Sequence, residues 1–272
     1  MAKPAWVLLG NRLASGEIAT VPSWSPAAMW GTGLFETAGC QDGVTLLWEA
    51  HLSRLGRGLA TLGWRCGALP GRSRVEELLQ RTGVTGSGMV HLVAHCVGSR
   101  VRVVSWARRY RPPRRWRREG VRLATIRVPA GPLTDLKTCA YLPNRWARME
   151  ARRAGADAAL LVDWDGAVRE ADTANIFVAR EGAVCTPPAG RRCLPGVMRA
   201  WCVATLRAAG VVVEERDVTP AEIEGADEVW LTSSLAGVVP VRVVDRRPLP
   251  VPRQLVAILE RAGVPAPGYR GG

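Results

Sequence analysis

Lysine is nearly absent from this chain. Of 37 basic side chains in 272 residues, only Lys3 and Lys137 are lysine, and the remaining 35 are arginine. A guanidinium stays protonated and cannot serve as an amine nucleophile or proton carrier. A lysine amine can, once its surroundings lower its pKa. Lys3 falls in a terminal stretch expected to fray. Lys137 sits mid-chain in Leu136-Lys137-Thr138-Cys139, between an apolar segment and a helical pattern. It is either a leftover surface charge or a functional amine, and the scarcity of lysine favours the amine.

Other absences narrow the class. No run of about 18 uncharged apolar residues occurs, so no membrane span is expected. The N-terminal MAKPAWVLLGNR is too weakly apolar for a signal peptide. Cysteine is odd in number, seven in all, with no C-x-x-C pair. Neither a disulfide framework nor a zinc site is expected, and reduced thiols in the cytoplasm fit best. There are three histidines. His91 and His95 share a strand face by their spacing, but no acidic or cysteine partner stands near them. They are expected to be packed or exposed, and no metal is expected.

A core is affordable, with 47% hydrophobic residues, and the length suits one large domain or two moderate ones. The net charge of +13 is nearly all arginine. It permits attraction to nucleic acid or to acidic metabolites without selecting either. Arg108–Arg118 reads RRYRPPRRWRR. This run is either a nucleic-acid arm or a solvated linker that two prolines keep irregular. The linker is favoured, with no specific nucleic-acid partner, and it sets a boundary between domains at 1–119 and 120–272.

Periodicity places the elements. Leu52, Leu55, Leu59 and Leu62 make one stripe of a helix over 49–62, and the polar His51 and Arg54 default to its solvated face. A second helix covers 73–82, with Val75, Leu78 and Leu79 inward. Strands are expected at 89–97, 101–107 and 121–128. A helix follows over 143–154, with Trp146 and Met149 inward. Strands at 158–163, 175–179 and 184–186, a helix at 197–209, and strands at 211–215, 228–231 and 238–244 complete the pattern. Segment 21–30 reads as irregular.

Three features of the second half suit one cofactor. Lys137 is an amine. Glu170 is a carboxylate that follows a hairpin. Leu194-Pro195-Gly196-Val197 is a turn feeding a helix, whose first N–H groups and dipole favour a phosphate. A second turn, Leu231-Thr232-Ser233-Ser234, adds hydroxyls. Pyridoxal phosphate needs this combination: a lysine for its Schiff base, an acid at its pyridine nitrogen, and an anion cradle.

Six motifs in order carry a resemblance: G-T-G-L-F-E-T at 31–37, H-L-S-R-L at 51–55, K-T-C-A-Y-L-P-N at 137–144, E-A-D-T-A-N-I-F at 170–177, L-P-G-V-M-R at 194–199 and L-T-S-S-L-A-G-V-V-P-V at 231–241. With these the chain resembles the fold-type IV pyridoxal-phosphate enzymes, the class IV aminotransferase family. That family includes branched-chain aminotransferase, D-amino acid transaminase and aminodeoxychorismate lyase. The resemblance implies a small α/β N-terminal domain, a larger C-terminal pseudo-barrel domain carrying the lysine, and a homodimer. It implies that Lys137 forms the Schiff base and that Glu170 partners the pyridine nitrogen. It further implies that Arg54, Gly196, Val197, Ser233 and Ser234 bind the phosphate, which reverses the solvated default for Arg54.

Within the family, K-T-C-A-Y-L-P-N is similar to lyase-like members, although Ala140 replaces their usual Asn. The strand from His91 lacks the arginine that D-amino acid transaminases use to trap a carboxylate, and Phe35 stands where they often have Tyr. The balance implies a lyase that converts 4-amino-4-deoxychorismate to 4-aminobenzoate and pyruvate in folate biosynthesis. The alternative is an aminotransferase acting on branched-chain or D-amino acids. A remoter one is an arginine-rich nucleic-acid-binding protein on a dead scaffold.

Overall fold

A computed structural model describes residues 4–97, 100–251 and 253–269. Lys3 and the expected Gly98-Ser99 turn lie outside the described residues. Contacts group the chain into two compact units. The first is Met1–Arg111 with Leu136–Tyr141 and Pro265–Gly268, and the second is Pro112–Asp135 with Leu142–Val264 and Tyr269–Gly272.

The first unit holds β1 (Trp6–Leu9), β2 (Arg12–Ser15), α1 (Pro26–Trp30), β3 (Gly33–Gln41), β4 (Val44–Thr45), α2 (Trp48–Thr61), α3 (Arg72–Arg81), β5 (Gly88–Val97) and β6 (Arg100–Arg109). Its strands form an antiparallel sheet in the order β2-β1-β6-β5-β3-β4. Strand alternation puts Leu34, Ala38, Val90, Leu92 and Ala94 on one face. There they pack in one core with Leu55 and Leu59 of α2 and Val75, Leu78 and Leu79 of α3. Each leucine or valine among them stabilises the unit by about 1.5–3 kcal/mol when fully buried. β4 pairs only with Cys40 and Gln41, at the far end of β3. Near the start of β3 the Lys137 stretch pairs instead: Phe35 N donates to Lys137 O at 2.9 Å and Cys139 N to Gly33 O at 2.8 Å. Lys137 therefore groups with the first unit, not with the C-terminal part where the sequence placed it.

The second unit holds α4 (Arg114–Glu119), β7 (Val121–Arg127), α5 (Leu142–Arg153), β8 (Ala158–Val162), β9 (Val168–Ala171), β10 (Asn175–Arg180), β11 (Ala183–Thr186), α6 (Val197–Ala208), β12 (Val213–Glu215), α7 (Pro220–Glu224), β13 (Glu228–Ser233), β14 (Gly237–Val244), β15 (Arg247–Pro248) and α8 (Gln254–Arg261). Its mixed sheet runs β12-β11-β10-β13-β14-β7-β8-β9, with β15 beside β14. Val121, Leu123, Leu160, Ile176, Val178, Val229, Leu231 and Val241 form its core.

Several expectations are corrected. Segment 21–30 is not irregular throughout, since Ser25 caps α1 with its side chain and Pro26 opens it. The arginine run is ordered: β6 continues to Arg109, and α4 starts directly after Pro113, because proline is tolerated at a helix start. The helix expected over 143–154 is rotated. Trp146 and Met149 are 47% and 51% exposed, and the fully buried positions are Ala147 and Ala151. These alanines pack in one cluster with Ala124, Ala159 and Leu161 of the sheet, where small side chains permit a close approach and a large one would overpack.

Candidate active site

In the first unit, the Lys137 ammonium lies 4.4 Å from the ring centroid of Phe35 and 5.7 Å from that of Tyr141. The two rings meet edge to face at 5.4 Å. Both distances fall within cation–π range, so the aromatic pair fixes where the amine sits.

Beneath that face lies a cluster that the spacing did not announce. Leu34, Glu36 and Ala38 alternate onto the inward face of β3, and a buried carboxylate there demands partners. α2 supplies them one turn apart. Arg54 Nε donates to Glu36 Oε1 at 2.8 Å and Arg54 Nη2 to Oε2 at 2.6 Å. His51 Nδ1 lies 2.7 Å from Oε2. An ionised carboxylate only accepts, so Nδ1 carries the donated proton. Glu36 is 1% exposed, His51 0% and Arg54 8%, so the solvated default for His51 and Arg54 fails. Burial pushes the Glu36 carboxyl up, but the charge and hydrogen bonds of Arg54, helped by His51, outweigh it and hold the pKa at about 2. Burial pushes His51 down against the pull of Glu36. The cluster is a carboxylate, a guanidinium and a neutral imidazole.

In the second unit, Glu170 Oε2 accepts from Leu194 N at 3.2 Å and from Asn175 Nδ2 at 3.3 Å, and Asn175 Nδ2 also donates to Leu194 O at 2.9 Å. Asn175 thus ties the Glu170 strand to the turn that opens α6. Gly196 is fixed by the same residue, because a β carbon there would fall 1.9 Å from Asn175 Oδ1. Gly196 is the N-cap of α6 and contributes no side-chain cap bond, so the first-turn N–H groups beginning at Val197 suit an anion. Ser233 ends β13 and its Oγ accepts from Ala236 N at 3.2 Å, with Ser234 next in the turn. Thr232 pairs with Asn175 in the register of β13 on β10. Its Oγ1 is buried without a hydrogen-bond partner among the described residues.

The structure thus gathers Lys137 and Arg54 in the first unit and Glu170, Gly196, Val197, Ser233 and Ser234 in the second. Sequence reasoning missed Glu36, His51, Asn175 and Thr232. Glu36 carried a signal, a lone carboxylate within an alternating apolar strand. Taken unit by unit, the amine and guanidinium of the first, and the oriented carboxylate, uncapped helix start and orphaned buried hydroxyl of the second, are each of a chemistry that a phosphorylated pyridine aldehyde takes. Among the described residues no His, Cys, Asp or Glu group of three or more could hold a metal. No described helix is long and apolar enough to cross a membrane.

A family model described as amino-transferase class IV matches residues 33–244. The chain belongs to that family. A branched-chain-amino-acid aminotransferase-like protein 2 of Arabidopsis thaliana is 27% identical over 299 residues, covering 98% of this chain and 52% of that protein. The chain therefore spans about half the length of that relative. The D-alanine aminotransferase of Bacillus licheniformis is 25% identical over 250 residues, covering 88% of each chain. The solved branched-chain aminotransferase of Thermoproteus uzoniensis with norvaline matches at a TM-score of 0.86 and 24% identity, covering 94% of this chain and 92% of that one. At that identity the likeness shows the fold, which is the two-domain fold-type IV architecture the class IV motifs implied.

Proposed function

We propose that this chain is a pyridoxal 5′-phosphate-dependent aminotransferase that moves an amino group between an amino acid and a 2-oxo acid. The single observation that carries this reading is Lys137, one of only two lysines, set against Phe35 and Tyr141. Family membership supports the cofactor, and a class IV relative has been solved with pyridoxamine 5′-phosphate. Branched-chain or D-amino acids are the proposed substrates, following the names of the relatives. The lyase reading rests on K-T-C-A-Y-L-P-N, on a strand from His91 without a carboxylate-trapping arginine, and on Phe35 in place of Tyr. It takes second place because the Bacillus relative is a D-alanine aminotransferase and the Arabidopsis relative is aminotransferase-like.

When bound, the cofactor supplies an electron sink for charge developing at the substrate α-carbon. Lys137 Nζ would take the α-proton of the amino acid in one half-reaction and give a proton to the α-carbon of the acceptor 2-oxo acid in the other. Glu170, aimed by Asn175 and Leu194 N–H, would keep a ring nitrogen protonated. Arg54, the Gly196–Val197 backbone, Ser233 and Ser234 would hold the phosphate.

The deciding assay offers two substrate sets. Amino acids with 2-oxoglutarate should yield glutamate and a new oxo acid. Release of 4-aminobenzoate and pyruvate from aminodeoxychorismate, with no amino acceptor, would select the lyase instead.

A homodimer in the cytoplasm, without a specific nucleic-acid partner, completes the proposal. The rotation of α5 supports the dimer, since Leu142, Trp146 and Met149 form an exposed stripe at helical spacing. Trp146→Glu should shift the protein toward monomer in sedimentation velocity. An unchanged dimer would remove this stripe from the interface.

A further inference from the structure

The turn between β13 and β14 is held by a residue far along the chain. β7 pairs with β14 only from Val241 onward. At Val238 the N–H and C=O on that edge therefore need another partner. One phenol serves both: the Tyr269 hydroxyl donates to Val238 O at 2.5 Å and accepts from Val238 N at 3.2 Å. The ring occupies the space above Gly237. Gly237 has φ +70°, and a β carbon there would fall 2.3 Å from Tyr269 Cε2. Arg117, within the arginine-rich run, places its guanidinium carbon 3.8 Å from the Tyr269 ring centroid. Burial pushes the phenol up to about 12, so it keeps its proton and both roles at neutral pH.

We propose that Tyr269, backed by Arg117, is a positioning residue that fixes the Ser233–Gly237 turn for binding a phosphate. This rests on the assignment of that turn to the cofactor phosphate. It gives part of the arginine-rich run a role that neither charge nor composition suggested. The clamp acts on the backbone of β14, so its loss loosens the Ser233 and Ser234 donors without removing either.

Two measurements on the apoprotein test it. Hydrogen exchange reads the amides of residues 233–238, and titration calorimetry reads the affinity for pyridoxal phosphate and, separately, inorganic phosphate. Tyr269→Phe keeps the ring and loses both hydroxyl bonds, while Tyr269→Ala loses the ring as well. Both should speed exchange in the turn and raise the dissociation constant, by roughly fivefold and tenfold or more respectively. Arg117→Gln should follow in the same direction, and Arg117→Lys should recover part of the loss, because it restores a cation over the ring. Folded Tyr269 variants with wild-type affinity for both ligands would overturn the clamp, whether or not exchange in the turn changes. Failure of the wild type to bind pyridoxal phosphate would overturn the proposed function. Inorganic phosphate would then decide the clamp alone, with equal or absent binding in wild type and Tyr269→Phe overturning it.

Discussion

Lys137→Arg should lose nearly all transamination, roughly 10³-fold or more in kcat, while the protein stays folded. Arginine keeps the charge beside Phe35 and Tyr141 but offers no amine that can form a Schiff base or carry a proton at neutral pH. The stretch is held to β3 through main-chain bonds of Phe35, Gly33 and Cys139, which the substitution leaves intact. The purified variant should be colourless with an unchanged far-UV spectrum. Lys3→Arg, at the other lysine, should keep full turnover and colour. A yellow, active Lys137→Arg protein would refute the assignment.

Arg54→Ala should have two separable effects. Loss of a charge-assisted hydrogen bond should weaken cofactor binding by about 1.5–3 kcal/mol. Removal of the guanidinium from a buried carboxylate should also destabilise the fold by about 3–5 kcal/mol. Adding Glu36→Gln should restore much of the stability and none of the affinity, because glutamine needs no countercharge but cannot replace the donor. An unchanged cofactor dissociation constant in Arg54→Ala would leave the residue as a structural ion pair only.

The same cluster sets an acid limit. The carboxyl of Glu36 has a folded pKa of about 2 against an ordinary 4.5. A depressed folded pKa means stability fully present above the unfolded value and lost as pH falls through the folded one. That loss runs from about pH 4.5 to pH 2 and amounts to roughly 3 kcal/mol. Urea unfolding across that window should show a shallower acid limb in Glu36→Gln than in wild type.

Leu55 and Leu59 of α2 and Val75, Leu78 and Leu79 of α3 were legible from helical spacing, because period 3.6 directly encodes a buried stripe. Lys137 stands out by scarcity, while its place beside Phe35 and Tyr141 comes only from the structure. What escaped depends on partners distant in sequence. Nothing in H-L-S-R-L says that a carboxylate 15 residues before His51 turns its polar face inward. The rotation of α5 escaped because hydrophobicity alone ranks Trp146 above Ala147, while packing distance ranks them the other way. The roles of Asn175, Thr232 and Tyr269 arise from cross-strand register and from a tail that folds back, neither of which a local pattern carries. In the arginine run a proline pair argues locally against regular structure, yet it separates a strand ending at Arg109 from a helix starting at Arg114.

The most direct test of the central claim is to load the protein with pyridoxal phosphate, reduce it with borohydride, and locate the phosphopyridoxyl group by peptide mass spectrometry. The chain offers only two lysines, so the result is a choice between few sites. The label should sit on Lys137, with none on Lys3, and it should vanish in Lys137→Arg. A label confined to Lys3 or to the N-terminal amine, or no label on a folded protein saturated with cofactor, would contradict the account.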